Sequence, residues 1–184
     1  MIINNISYII MCYTKEESLK YFIIGSLLST GLIVKGDKYD KHIGIAFIAV
    51  ILMQLAEYLM WSDIECKGLN QKATIFAYLV LILQPLSILL AGLYLNTLNL
   101  SKNVIYVSII LVLTLFIGFF QFLKNKDKCS KIHKKDGHLV WPFIERYFPS
   151  DNNNPYIICV SIYLFFLIGT WLFMNSVKGI IIFL

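Results

Sequence analysis

The residues best able to do chemistry in this chain stand inside or beside apolar stretches. Gln54, Glu57 and Trp61 are spaced i, i+3 and i+7 and so share one helical face, with Tyr58 beside Gln54 at i+4. Glu57 falls about one turn inside the end of its apolar run. A carboxylate at that depth is expensive unless it is protonated, paired or hydrated, so it is expected to face other helices. Its chemistry would be proton relay, ion passage or ligand binding; the plainer role is hydrogen-bonded glue between helices. Gln84 precedes Pro85, whose missing amide frees a backbone carbonyl and favours a kink. The expected pocket is lined by Gln54, Glu57, Trp61 and Gln84, with His138 and Trp141 over its mouth.

A second group is soft and metal-binding in type. Cys129-x3-His133-x4-His138 has spacing compatible with zinc or another transition metal, and Cys66 or Cys12 can supply a further sulfur. Against this, the chain has no Cys-x-x-Cys pair, and the Lys-rich surroundings repel a cation. Catalytic triads, glycine-rich phosphate loops and paired hydrolytic acids are not recognisable.

These residues are positioned by five apolar runs, roughly 19–34, 43–61, 73–95, 104–123 and 156–174. At about 1.5 Å per helical residue the longer four match a hydrocarbon core of about 30 Å. With 58% hydrophobic residues, too little polar surface remains to coat a soluble globule of this size. Continuous apolarity rather than alternation selects helices over a barrel. The expected fold is an all-α polytopic transmembrane bundle of about five spans in one domain. Thr14-Lys15-Glu16-Glu17 has capping-box spacing, which starts the first helix before its apolar part and restores a full spanning length. Compact connections at 35–38 and 99–102 make spans one and two, and three and four, antiparallel neighbours. Small residues, Gly25, Ser26, Ser29 and Thr30 in span one and Thr114, Gly118 and Gln121 in span four, permit close approach around the polar interior. The apolar tail 177–184 is too short to span again.

Lys and Arg set the expected orientation. The amino terminus, the 62–72 connection and the 124–154 loop share one face, side A, which carries most of the basic residues. Positive-inside bias makes side A cytoplasmic and puts the carboxyl terminus on the opposite face. The net charge of +5 sits in membrane-flanking loops poor in stacking aromatics, which argues against nucleic acid and for anionic lipid headgroups as partner. Cys12, Cys66, Cys129 and Cys159 all fall at side A. In the cytoplasm they stay reduced; with the orientation reversed, a Cys66–Cys129 disulfide is the natural alternative. The long loop begins as a basic run and continues as an amphipathic aromatic segment, 138–148, which either anchors at the headgroups or dips back into the bundle as a lid.

One set of ordered fragments carries a resemblance. Met11-Cys12-Tyr13-Thr14 with Ser18, Gln54-x-x-Glu57-x-x-x-Trp61, Cys66 and Asn70, Gln84-Pro85, and Cys129 followed by Gly137-His138-Leu139-x-Trp141 span about residues 11 to 141. Together they resemble an uncharacterised family, a domain of unknown function, of small multi-pass membrane proteins of bacteria and large DNA viruses. The resemblance supplies no activity. It implies that Cys12, Glu57, Gln84, Pro85, His138 and Trp141 belong to one pattern at side A. Tyr13 and Thr14 depart from it, standing where the family has Trp and Ser. The leading expectation is binding or transport of a small ligand or proton through Glu57. The rivals are a metal-dependent membrane enzyme with a Cys/His site and a structural membrane component.

Overall fold

The computed structural model of the protein describes residues 14–98, 102–124, 127–132, 137 and 139–145. The fifth apolar run, the 177–184 tail, and Cys12, His133, His138 and Cys159 lie outside the described residues. Four long helices follow one another: α1 (Lys15–Lys35), α2 (Lys38–Trp61), α3 (Leu69–Tyr94) and α4 (Lys102–Leu123). The first three are long and apolar enough to cross a membrane, at 21, 24 and 26 residues. The remainder departs from the expected all-α architecture. The segment after α4 forms a two-stranded antiparallel ladder, β1 (Lys131–Ile132) and β2 (Leu139–Val140), with Lys131 opposite Val140 and Ile132 opposite Leu139. A single turn, α5 (Pro142–Glu145), follows with proline at its first position, where a missing amide removes no helical bond.

Capping chemistry fixes the helix starts. The Glu17 amide donates to Thr14 Oγ1 at 3.2 Å, so α1 does begin ahead of its apolar part. The start of α2 is tied more fully: the Tyr39 and Asp40 amides donate to Asp37 Oδ1 at 2.8 and 3.0 Å, and the Asp37 amide donates back to Asp40 Oδ2 at 3.2 Å. This reciprocal box turns the chain between α1 and α2 with only Gly36 and Asp37 between them.

The helices pack in order, up and down. Small residues set the spacing, but not between α1 and α4 as expected. A Cβ built on Gly25 would lie 2.7 Å from Ile51 of α2, and one on Gly118 would lie 2.5 Å from the Tyr78 hydroxyl of α3. Each outer helix thus uses its glycine against the inner helix beside it. The inner pair, α2 and α3, supplies most of the core, including Met53, Ala56, Met60, Ala73, Ala77, Val80 and Ile82. The outer helices turn large apolar side chains outward: Leu27 and Leu28 of α1 are 69% and 66% exposed, Ile110 and Phe120 of α4 both 62%.

At the end away from side A, His42 ties the inner helices together. It is fully buried, with Nε2 at 2.9 Å from the Ile88 carbonyl and Nδ1 at 2.7 Å from Thr97 Oγ1. A ring nitrogen facing a carbonyl must carry the proton, so Nε2 donates to Ile88, and Nδ1 is hydrogen-bonded to the Thr97 hydroxyl, which also lies 3.5 Å from the Gly92 carbonyl oxygen.

Gly44 meets backbone: its Cβ would lie 2.8 Å from the Ser29 carbonyl oxygen, whereas a Cβ on Gly31 would meet nothing within 4 Å. Gly44→Ala is expected to lower stability by about 1–3 kcal/mol through forced separation of α1 and α2. Gly31→Ala is expected to leave stability unchanged or raise it by up to about 1 kcal/mol through helix propensity. Denaturant unfolding in detergent micelles compares the two.

Candidate functional site

The carboxyl group of Glu57 lies on the inward face of α2, and the residue is only 4% exposed. Ala56 and Met60, which flank it, are fully buried in the core that continues into α3 and α4. Trp61, one turn further on, packs on the same core, and Gln54 is half-buried. The acidic residue therefore faces the bundle, as its depth in an apolar run demands.

Gln84 does not join it. Asn70 bonds the Met60 carbonyl near one end of the inner pair and His42 bonds the Ile88 carbonyl near the other, so Glu57 stands level with the first turns of α3. Gln84 is about three turns further along α3, on the order of 16 Å deeper. Gln84 and Pro85 are buried in an α3 that continues through the proline, and the Ser87 hydroxyl donates to the Gln84 carbonyl at 2.8 Å. The single polar interior expected from the sequence is two separate levels.

The segment after α4 packs on the same core. Leu139 and Trp141, two apart on extended chain, and Phe143, in the turn of α5, all enter the core, at 3%, 9% and 4% exposure. The aromatic part of the long loop thus dips into the bundle. Phe143 meets Tyr78 edge-on at 5.0 Å between centroids, Phe122 edge-on at 5.5 Å and Trp141 at 5.5 Å. Tyr78 stacks on Phe122 at 5.6 Å. Each such pair contributes roughly 0.5–1.5 kcal/mol beyond burial.

Two devices hold this segment to the bundle end. One is a disulfide, Cys66–Cys129, with Cα atoms 6.1 Å apart. It removes the thiolate reading of both residues as zinc ligands, because a sulfur in a disulfide carries no charge for a cation. Among the described residues, no group of three or more His, Cys, Asp or Glu side chains is placed to hold a metal ion. The other device is the buried amide of Asn70. Its Oδ1 accepts from the Ser130 amide at 2.8 Å and its Nδ2 donates to the Ser130 carbonyl at 3.0 Å, as a paired strand would. The Thr74 hydroxyl donates to the Asn70 carbonyl at 2.9 Å, which leaves the Ser130 hydroxyl as donor to Thr74 Oγ1 at 2.9 Å.

The connection bearing Cys66 is wound around Asp63. The Lys67 amide donates to Asp63 Oδ1 at 2.8 Å and the Asn70 amide to Oδ2 at 2.9 Å. Gly68, at φ +125°, caps α3 without a side chain, and Asp63 takes over that capping role from five residues upstream. Amides converging on the carboxylate, Asn70 first and Lys67 next, hold Asp63 below the usual aspartate range.

Three buried polar atoms at this end have no hydrogen-bond partner among the described residues: Glu57 Oε2, Trp61 Nε1 and Trp141 Nε1. An unsatisfied buried group costs about 1–3 kcal/mol, and three together amount to a large part of a domain's net stability. Glu57 and Trp61 share a face of α2, and both tryptophans pack on one core cluster. The arrangement offers one carboxyl and two indole N–H donors behind apolar walls. Of the expected pocket residues, Glu57 and Trp61 share a face of α2, Trp61 and Trp141 pack on one core cluster, Gln54 is half-buried, Gln84 lies about three turns further along α3, and His138 lies outside the described residues. Asn70, Ser130 and Thr74 carry no catalytic signature, so their part in seating the cover was missed. Comparison with protein-family models, curated protein sequences and solved structures finds no match to this chain.

The Asp63 site generates a pH dependence. Its folded pKa is depressed, so its contribution is fully present above the ordinary aspartate value near 3.9 and is lost as pH falls through the folded value. The wild type is expected to unfold at higher denaturant than Asp63→Asn at every pH above about 5, with the gap closing below about pH 3. Unfolding midpoints across that range test it.

Proposed function

We propose that the chain is a multi-pass integral membrane protein of about five spans that binds a proton or small polar solute at Glu57 and passes it through side A. Four apolar helices with outward-facing Leu, Ile and Phe present the surface of segments meeting lipid, and the 156–174 run supplies a fifth. Basic residues around side A suit anionic lipid headgroups. Taken alone they also put the amino terminus in the cytoplasm, whereas a stable disulfide belongs to an oxidising face.

The observation that carries the proposal is the trio of unpartnered atoms. Two N–H donors and a carboxyl suit a solute with oxygen acceptors on one side and a hydroxyl or ammonium donor on the other. The same carboxyl can hold a proton, and the indoles can order a water beside it. A carboxyl kept for helix glue would have a partner on a neighbouring helix, and Glu57 Oε2 has none among the described residues.

Two measurements test this reading. Vesicles holding the purified full chain are expected to dissipate an imposed pH gradient faster than empty vesicles, and Glu57→Gln to reduce the rate to that of empty vesicles. Gln84→Leu, at the separate level, is expected to retain it. Full flux in Glu57→Gln would eliminate Glu57 as the carrier. Glu57→Leu is expected to be as stable as wild type or more stable by up to about 3 kcal/mol, because it removes a buried oxygen, Oε2, that no described residue satisfies. Marked destabilisation would instead make Glu57 a structural residue.

A further inference from the structure

We infer that side A faces an oxidising compartment and that the Cys66–Cys129 disulfide, closed there, is the latch that seats Leu139, Trp141 and Phe143 in the core at the end of the bundle where Glu57 lies. The inference rests on the reading of Glu57 as the working group only in the use it gives the latch.

The path from latch to cover is continuous in the described residues. Cys129 is joined to the connection between α2 and α3; Ser130, next in sequence, is gripped by Asn70; Lys131 and Ile132 pair with Val140 and Leu139; and Trp141 and Phe143 follow into the core. A ladder of two residues per strand is not stable by itself and needs an anchor at its base. Charge works against closure. Lys67 and Lys72 belong to the connection and the first turn of α3, and Lys124, Lys128 and Lys131 to the segment tied to it by the disulfide, relieved locally by the Glu65–Lys67 and Asp127–Lys131 pairs. Both pairs are exposed and contribute little. Repulsion among the lysines acts over a Debye length of about 8 Å and pushes the segment from the bundle end unless a bond holds it.

The bond itself identifies the compartment. Two cysteine thiols exchange with an oxidant carrying a disulfide: one S–S bond forms in this chain, the oxidant's S–S bond breaks, and the oxidant leaves as two thiols holding both electrons and both protons. Cytosolic thiol pools run this exchange backwards, so the bond persists on an oxidising face. The lysines of side A then lie against the positive-inside bias, and a covalent bond is the more decisive of the two signals because it requires the oxidant.

The compartment is tested by alkylating intact membranes with N-ethylmaleimide before solubilisation, then identifying modified cysteines by mass spectrometry. Cys66 and Cys129 are expected to be blocked until a reductant is added; alkylation of both in untreated membranes overturns the assignment. The latch is tested in the full-length chain carrying Trp171→Phe, in lipid nanodiscs, by acrylamide quenching of the two remaining tryptophans. Reduction, or Cys66→Ser, is expected to raise quenching several-fold with helix content by circular dichroism unchanged. Unchanged quenching after verified reduction overturns the proposal, as does loss of helix, which would make the bond a general staple. Asn70→Ala with the disulfide intact is expected to keep quenching low; high quenching there would make the amide clamp the latch instead. Quenching and alkylation do not depend on flux, so failure of Glu57 as carrier and failure of the latch are read separately.

Discussion

A backbone segment that enters the apolar end of a helix bundle carries a cost unless its amide and carbonyl are paired there, and in this protein one side chain pairs both and offsets that cost, while a covalent bond holds the segment in place. Asn70 presents its amide to Ser130 as a strand presents its backbone, accepting from the N–H and donating to the C=O. Without this pairing, Ser130 would bring two bare polar groups into a fully buried position, at about 1–3 kcal/mol each. With it, the chain can reverse direction beside α3 and send three large side chains back between the helices. Thr74 adds a hydroxyl to the same cluster, and Asp63 fixes the start of the helix from which Asn70 projects.

The two ends of the inner helix pair are therefore held by different chemistry. At the far end His42 reaches across to the Ile88 carbonyl and bonds the Thr97 hydroxyl, with every ring nitrogen used. At side A the polar groups that bond well belong to the clamp, and those that do not belong to Glu57 and the two tryptophans. Satisfied and unsatisfied groups lie within a few turns of each other. The bundle can complete a buried polar cluster with its own atoms, and at Glu57 Oε2 no described residue does.

Much of the helical frame was legible from length and composition, since continuous apolar runs of spanning length have few other structures open to them. Thr14 marked the first helix start for a reason visible in four residues. The reciprocal box at the start of α2 was harder, because Asp40 stands where the usual signature has Glu or Gln. The level of Gln84 was not legible. Periodicity along one helix assigns a face, but the register between two helices is set by contacts such as Asn70 with Met60 and His42 with Ile88, which no spacing rule encodes. The segment around Trp141 was open to two readings because an amphipathic aromatic stretch suits a headgroup layer as well as a core. The alternation of Leu139 and Trp141 is a strand signal too short to stand alone, and Pro142 turns the chain into α5 before Phe143. The disulfide depended on which loops the topology brings together and on the compartment, and only the first of these is written in the chain.

The disulfide also explains how an incomplete polar layer can coexist with a well-ordered cover. Closing a loop across 63 positions of sequence narrows the unfolded and partly opened ensembles, and for a loop of that length the chain-entropy effect is about 4 kcal/mol. That stabilisation acts on the segment as a whole and makes no demand on the contacts beneath it. The side chains of the segment are thus released from having to hold it down by hydrogen bonds of their own. Among the described residues the Trp61 and Trp141 indole N–H groups and Glu57 Oε2 are left without partners. A cover held only by its buried contacts would be under pressure to satisfy those same atoms internally, and a carboxyl satisfied internally would have nothing left to offer a solute.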